Sequence, residues 1–152
     1  MDNDHIIIQK IEQGTDGARK LLDFVQHFSW LEVKEHTVAR IRAWSFEDWE
    51  TPFAAVDGDK IVGMATIAKN DYYPLPEFFP WISTIFVSEA YCGGRISEKL
   101  IDFANRYAKE NGFERTYIPT AIVGLYEKYG YRYLKDIVNY GGEIDRLYVK
   151  EL

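Results

Sequence analysis

Two glycines stand side by side ahead of an amphipathic run in "VSEAYCGGRISEKLIDFANRYAKENGF", residues 87–113. A helix N-terminus presents free backbone N–H groups and a partial positive charge, and both favour a bound phosphate. Glycines just before it let the backbone approach closely. Gly93 and Gly94, leading into Ile96, meet that requirement. The same pair also suits a plain turn that needs positive φ. Two other phosphate loops are excluded by spacing, since neither G-x-x-x-x-G-K-[ST] nor G-x-G-x-x-G occurs. The chain's one cysteine, Cys92, lies in this stretch. No neighbouring base is visible, so a passive loop residue is expected rather than a nucleophile. His5, His27 and His36 are scattered and form no evident metal set.

The elements that must hold this loop follow from periodicity. Residues 5–11 read as a strand. Gly14-Thr15-Asp16 offers an N-cap for a helix whose face is Ala18, Leu21, Leu22, Val25 and Phe28. Residues 34–49 read as a second helix of weaker pattern, with Val38, Ile41 and Trp44 as apolar points and Pro52 as its stop. Runs at 53–56 and 61–67 are β-prone, and the "DGDK" between them signals a hairpin. Three prolines mark 70–80 as a loop before a strand at 81–87. The long helix buries Ile96, Leu100, Phe103, Ala104, Tyr107 and Ala108 and stops at Gly112. A strand at 116–119, a short helix at 124–129 and strands at 131–138 and 144–149 complete the chain. Strands follow one another too often for a doubly wound sheet. The order predicts an α/β (α+β) fold: a mixed, mainly antiparallel sheet flanked by helices.

With 152 residues the chain suits one domain spanning 1–152. Its net charge of −6 argues against a nucleic-acid backbone as the main partner and is compatible with a cationic substrate. No apolar run approaches the ~20 residues that span a bilayer, so no membrane partner is expected. The opening "MDNDHIIIQK" resembles neither a signal nor a transit peptide. One cysteine cannot make an internal disulfide, and a cytoplasmic protein is the simplest expectation.

A second motif, "GLYEKYGYRYL", occupies residues 124–134. Strand, glycine loop, long helix, strand and a short helix carrying L-Y-E-K-x-G-[FY] together resemble the GNAT family of N-acetyltransferases. The order of elements fits along the whole chain. In that family the loop before the long helix follows V-x-x-x-[YF]-[RQ]-G-x-G-[IV]-[GA], and its amides bind the pyrophosphate of acetyl-coenzyme A. The matching positions here are Val87, Tyr91, Cys92, Gly93, Gly94, Arg95, Ile96 and Ser97. Cys92 replaces Arg or Gln, Arg95 replaces Gly, and Ser97 replaces Gly or Ala. Arg95 either restores charge beside the phosphates or is a solvated first-turn side chain; Ser97 offers an added hydroxyl. The resemblance further implies that Phe86 and Val87 pair their backbone with the pantetheine arm. It also places Pro119 where the family often carries an Asn.

Acetyl transfer from a thioester to an amine needs a neutral amine, a stabilised oxyanion and a proton for the leaving thiolate. The resemblance makes Tyr126 that proton donor, and a phenol with a pKa of about 10 stays protonated at neutral pH. Tyr129, Tyr131 and Tyr133 are expected only to pack. An alkyl amine titrates at about 10.4, so a base must take its proton. Glu77, in the aromatic loop before the 81–87 strand, is the candidate, with Asp71 as its rival. The implied activity is direct transfer from acetyl-coenzyme A, without a metal, to a primary amine on a small molecule or peptide. The alternative is a non-catalytic coenzyme A-binding or sensor module of the same fold. A homodimer is compatible with either.

Overall fold

The computed structural model describes residues 5–28, 31–93 and 95–152. Its elements are β1 (Ile7–Lys10), α1 (Asp16–Val25), α2 (Leu31–Ala43), β2 (Thr51–Asp57), β3 (Lys60–Ala68), β4 (Trp81–Val87), α3 (Ile96–Glu110), β5 (Arg115–Thr120), β6 (Arg132–Val138) and β7 (Ile144–Glu151). Short 3-10 turns lie at Glu89–Tyr91 and Tyr126–Tyr129. The strands form one sheet in the order β1-β2-β3-β4-β5-β7-β6. Only β4 and β5 run parallel; every other neighbouring pair is antiparallel.

Strand alternation sends successive side chains to opposite faces, and the core divides accordingly. Phe53, Ala55, Val62, Ala65 and Ile67 join Leu100, Ile101 and Ala104 of α3 on one face. Ala54, Ile61 and Met64 join Leu21 and Val25 of α1 and Ile41 of α2 on the other. The 70–80 loop lays Tyr73, Leu75 and Phe78 against Trp81, Tyr117, Leu147 and Val149. Thr15 caps α1 as its spacing predicts, its hydroxyl accepting from the Ala18 N–H at 3.2 Å. Gly58, at φ +62, turns the β2–β3 hairpin.

Several boundaries differ from the periodicity, and three of the differences bear on the chain's path. α2 stops at Ala43 rather than at residue 49, because Trp44 and Asp48 take left-handed φ of +47° and +54°. Pro52 is not a helix stop; it lies within β2 opposite Thr66. β1 runs no further than Lys10, so Pro52 has no β1 register partner to whom its missing N–H would matter. The predicted short helix at 124–129 is a single 3-10 turn.

Candidate active site

The sheet opens between β4 and β5. The two strands are in register only at Trp81 and Tyr117, where the Tyr117 N–H donates to the Pro80 carbonyl at 3.0 Å. Beyond that pair, β4 from Ile82 to Val87 has no strand on its β5 side. On the β3 side the ladder also slips between Met64 and Thr66. Thr84 lies within that bulge at φ +50°. A bulge re-aims backbone groups, and here it does so along the edge that β5 has left.

The glycine loop closes one end of this opening. The Ser88 N–H bonds to the Val62 carbonyl at 2.8 Å, and the Tyr91 hydroxyl donates to Asp57. Gly93 takes φ +86°; Gly94 lies outside the described residues. Arg95 holds the N-cap position of α3 in the left-handed region, and its side chain makes no cap hydrogen bond. A left-handed backbone is the physical reason glycine is favoured at that position. Without a side-chain cap, the first-turn N–H groups of α3 are available to an anion. The Arg95 guanidinium turns back to Glu98 at 2.7 Å and is exposed. Ile96, fully buried, anchors the helix beneath the loop.

Phe86 and Val87 end β4 beside a cavity of about 820 Å³ that α1, β3 and the loop enclose. The Phe86 ring is already stacked on Phe28 at 4.0 Å and meets Phe24 edge-on. The ring is half-buried and lines the cavity. Two cations on the cavity wall, Arg19 and Lys20, are drawn to Asp16 at 2.6 and 3.4 Å. Cys92 is exposed, its thiol resting 3.6 Å from the Ser88 carbonyl.

Tyr126 and Tyr129 bracket the 3-10 turn, and Gly130, at φ +91°, releases the chain into β6. A Cβ on Gly130 would meet Lys150 at 3.2 Å, and the Lys150 ammonium donates to the Tyr129 carbonyl at 3.0 Å. The Tyr126 ring packs between Tyr129 and Tyr148, with centroids 6.0 and 6.3 Å away. It is 6% exposed. Burial, with a smaller contribution from Tyr129, pushes its phenol up to about 12. Its hydroxyl makes no hydrogen bond to a described residue. Tyr131, by contrast, is held by Thr116 and Asn105 in the core. Tyr129 does more than pack: its hydroxyl and that of Ser97 are 3.0 Å apart. This bond ties the turn to the first turn of α3, and neither motif alone signals it.

The two carboxylates proposed from the sequence are placed differently. Glu77 is exposed in its loop. Asp71 lies within the electrostatic reach of Arg40 and His36 on α2. Its Oδ1 accepts from the Tyr72 N–H at 2.6 Å, and its Oδ2 is buried without a partner among the described residues. Burial pushes the Asp71 carboxyl upward, partly offset by the Tyr72 N–H, the Ser83 hydroxyl, Arg40 and His36. Arg40 divides its charge with Glu50 at 3.6 Å. Among the described residues, no three His, Cys, Asp or Glu side chains are placed to hold a metal ion, and no helix is long and apolar enough to cross a membrane.

Comparisons with known proteins agree with this fold. No curated protein matches the sequence. Among solved structures, an aminoglycoside 6'-acetyltransferase type Ii superposes with a TM-score of 0.75 at 19% identity, over 95% of this chain and 96% of its own. An aminoglycoside 6'-N-acetyltransferase complexed with coenzyme A gives 0.74 at 16% identity, over 95% and 96%. A GNAT family acetyltransferase from Elizabethkingia anophelis with acetyl-coenzyme A bound gives 0.63 at 20% identity, over 98% and 99%. At such identities the likeness carries the fold alone. The family itself comes from the sequence: a model of the acetyltransferase (GNAT) family matches residues 18–131. The matched span takes in β4, the glycine loop, α3 and the tyrosine turn, and the chain belongs to the acetyltransferase (GNAT) family.

Proposed function

We propose that the protein transfers the acetyl group of acetyl-coenzyme A directly to a primary amine. The observation that carries this reading is the shared position of two features. The uncapped N-terminus of α3 and the unpartnered hydroxyl of Tyr126 lie at one opening of the sheet, joined through Ser97 and Tyr129. The residues present fit the coenzyme: amides for its pyrophosphate and an unpaired β4 edge for an amide-bearing arm. Pro119, with no N–H, offers no donor from β5. Two of the related folds were crystallised with coenzyme A or acetyl-coenzyme A.

In the reaction, the amine nitrogen attacks the thioester carbonyl; a C–N bond forms and the C–S bond breaks. Backbone N–H groups along the re-aimed β4 edge stabilise the oxygen that gains charge. Tyr126 gives its proton to the departing sulfur. Asp71, directly or through the neighbouring Ser83 hydroxyl, takes the proton that the amine loses. A buried carboxyl with a raised pKa suits a base better than the exposed Glu77. The test is thiol release from acetyl-coenzyme A over a panel of amines that includes an aminoglycoside, a polyamine and a peptide N-terminus. Release with at least one amine is expected. A rise in melting temperature with acetyl-coenzyme A but no release from any amine would instead favour the non-catalytic module.

The Ser97–Tyr129 bond makes its own prediction. Tyr129→Phe and Ser97→Ala should each weaken coenzyme binding, by roughly 2- to 10-fold, the worth of one hydrogen bond. The double variant should be no weaker than either single one, because both remove the same bond. Additive losses measured by calorimetry would mean that the two hydroxyls act separately.

A further inference from the structure

We propose that Arg146, with Tyr148 beside it, binds a carboxylate carried by one of the two reactants. This rests on the acetyltransferase reading, which supplies the reactants.

Arg146 and Tyr148 lie two apart on β7 and so face the same side of the sheet. That side is covered by Tyr126, whose ring meets Tyr148. The Arg146 guanidinium lies 4.2 Å from the centre of the Tyr133 ring and 5.6 Å from that of Tyr148. Stacking holds its plane while leaving its N–H edge for an acceptor. Glu127 and the Arg146 guanidinium both approach the Tyr148 phenol, but neither closes a hydrogen bond on it. The Arg146 Nε and the Tyr148 hydroxyl are both buried without a hydrogen-bond partner among the described residues, and Tyr148 as a whole is 0% exposed. Nor does any ion pair among the described residues include Arg146.

Two neighbouring carboxylates each have one oxygen taken by another donor. Asp136 faces Arg146 across β6 and β7, but its Oδ1 accepts from the Tyr133 hydroxyl at 2.8 Å. Glu127, close to Tyr148, accepts from the Gly124 N–H at 3.1 Å. The chain holds 24 acidic and 18 basic residues. A half-buried arginine left unpaired amid that excess is a site for an incoming anion, because a buried cation without an acceptor is costly. One guanidinium edge and one phenol match a single carboxylate.

The location says which end of the reaction the carboxylate belongs to. Arg146 is in register with Thr120, the last residue of β5, where β5 has parted from β4. The tyrosine turn stands between: Tyr129 reaches Ser97 on the glycine-loop side, and Tyr126 meets Tyr148 on this side. The site therefore adjoins the proton donor, at the acyl end of the opening. The carboxylate comes either on the amine acceptor, as in an amino acid, or on the acyl group, as in a dicarboxylic acyl thioester.

Binding calorimetry distinguishes the two sources. In one arm, acetyl- and succinyl-coenzyme A are compared. In the other, the protein with coenzyme A is titrated with pairs that differ by a carboxylate: β-alanine against ethylamine, and tryptophan against tryptamine. In one arm the carboxylate-bearing member is expected to bind roughly 10- to 100-fold more tightly, the scale of a charge-assisted pair. Arg146→Gln should abolish that preference, Arg146→Lys should keep part of it, and Tyr148→Phe should reduce it several-fold. Acetyl-coenzyme A should bind all three variants as it binds the parent, which also reports that they fold. Equal affinities within every pair, or a preference that survives Arg146→Gln, would overturn the proposal. Thiol release without any carboxylate preference would remove this site and leave the acetyltransferase. A carboxylate preference with no release from any amine would remove the acetyltransferase and leave the site.

Discussion

Tyr126→Phe is expected to lower turnover by roughly 10²-fold or more, the usual contribution of a positioned general acid, with coenzyme affinity nearly unchanged. The substitution removes one oxygen and keeps the ring that packs between Tyr129 and Tyr148. That oxygen makes no hydrogen bond to a described residue, so stability should move by no more than about 0.5 kcal/mol. Burial pushes the phenol up to about 12, so it remains a donor across the working range and contributes no alkaline decline to the rate. The loss should shrink for a thioester whose leaving thiol is more acidic, because that thiolate needs a proton less. A variant at full activity with every donor would make Tyr126 a core aromatic and nothing more.

Asp71→Asn should cost a comparable factor, roughly 10²-fold in turnover, and should also remove an acid limb from the rate profile. The parent's rate should climb as Asp71 loses its proton, and the Asn variant should lack that step. Stability supplies a second readout. A carboxyl whose pKa is raised on folding favours the folded state when protonated. Its contribution is complete below the unfolded value of about 3.9 and is lost as pH rises through the folded value. Asparagine imitates the protonated acid at every pH. The melting temperature of Asp71→Asn relative to the parent should therefore rise from acid toward neutral pH. Glu77→Gln should leave both measurements unchanged. If it, and not Asp71→Asn, removed the acid limb, the base would be Glu77.

Much of the scaffold could be read before any coordinates. The Thr15 cap, the Gly58 hairpin and the buried stripe of α3 are local, and local rules describe them. α2 was harder because its apolar points are few. Its end depends on left-handed turns at Trp44 and Asp48; Asp tolerates that region, but the bulky Trp44 gives no such signal. The glycine loop and the tyrosine turn are contiguous motifs and were visible for the same reason as α3. The contacts between them were not. Ser97 and Tyr129 are 32 positions apart, and no spacing rule joins them. No spacing rule tells that Asp71 has a buried carboxylate oxygen while Glu77, in the same loop, is exposed. Arg146 reads as an ordinary strand cation until its buried Nε is seen to lack a partner among the described residues.

The parting of β4 and β5 has a consequence for folding as well as for binding. A single register pair, Trp81 with Tyr117, is the ladder's only link between strands β1 to β4 and strands β5 to β7. Cohesion of the two halves falls instead to side chains. On one face α3, the crossover, gathers Val62 and Ile67 from one half and Ile118 and Tyr148 from the other. On the other face Trp81 packs with Tyr117, Leu147 and Val149 under the 70–80 loop. The native state thus leaves unmade, along one strand edge, bonds that a continuous sheet would have used for its own stability. An extended guest with amide groups can complete that edge as a surrogate strand. Part of its affinity is then cohesion that the polypeptide has left to its ligand, and the bound molecule becomes a brace across the weakest seam of the sheet.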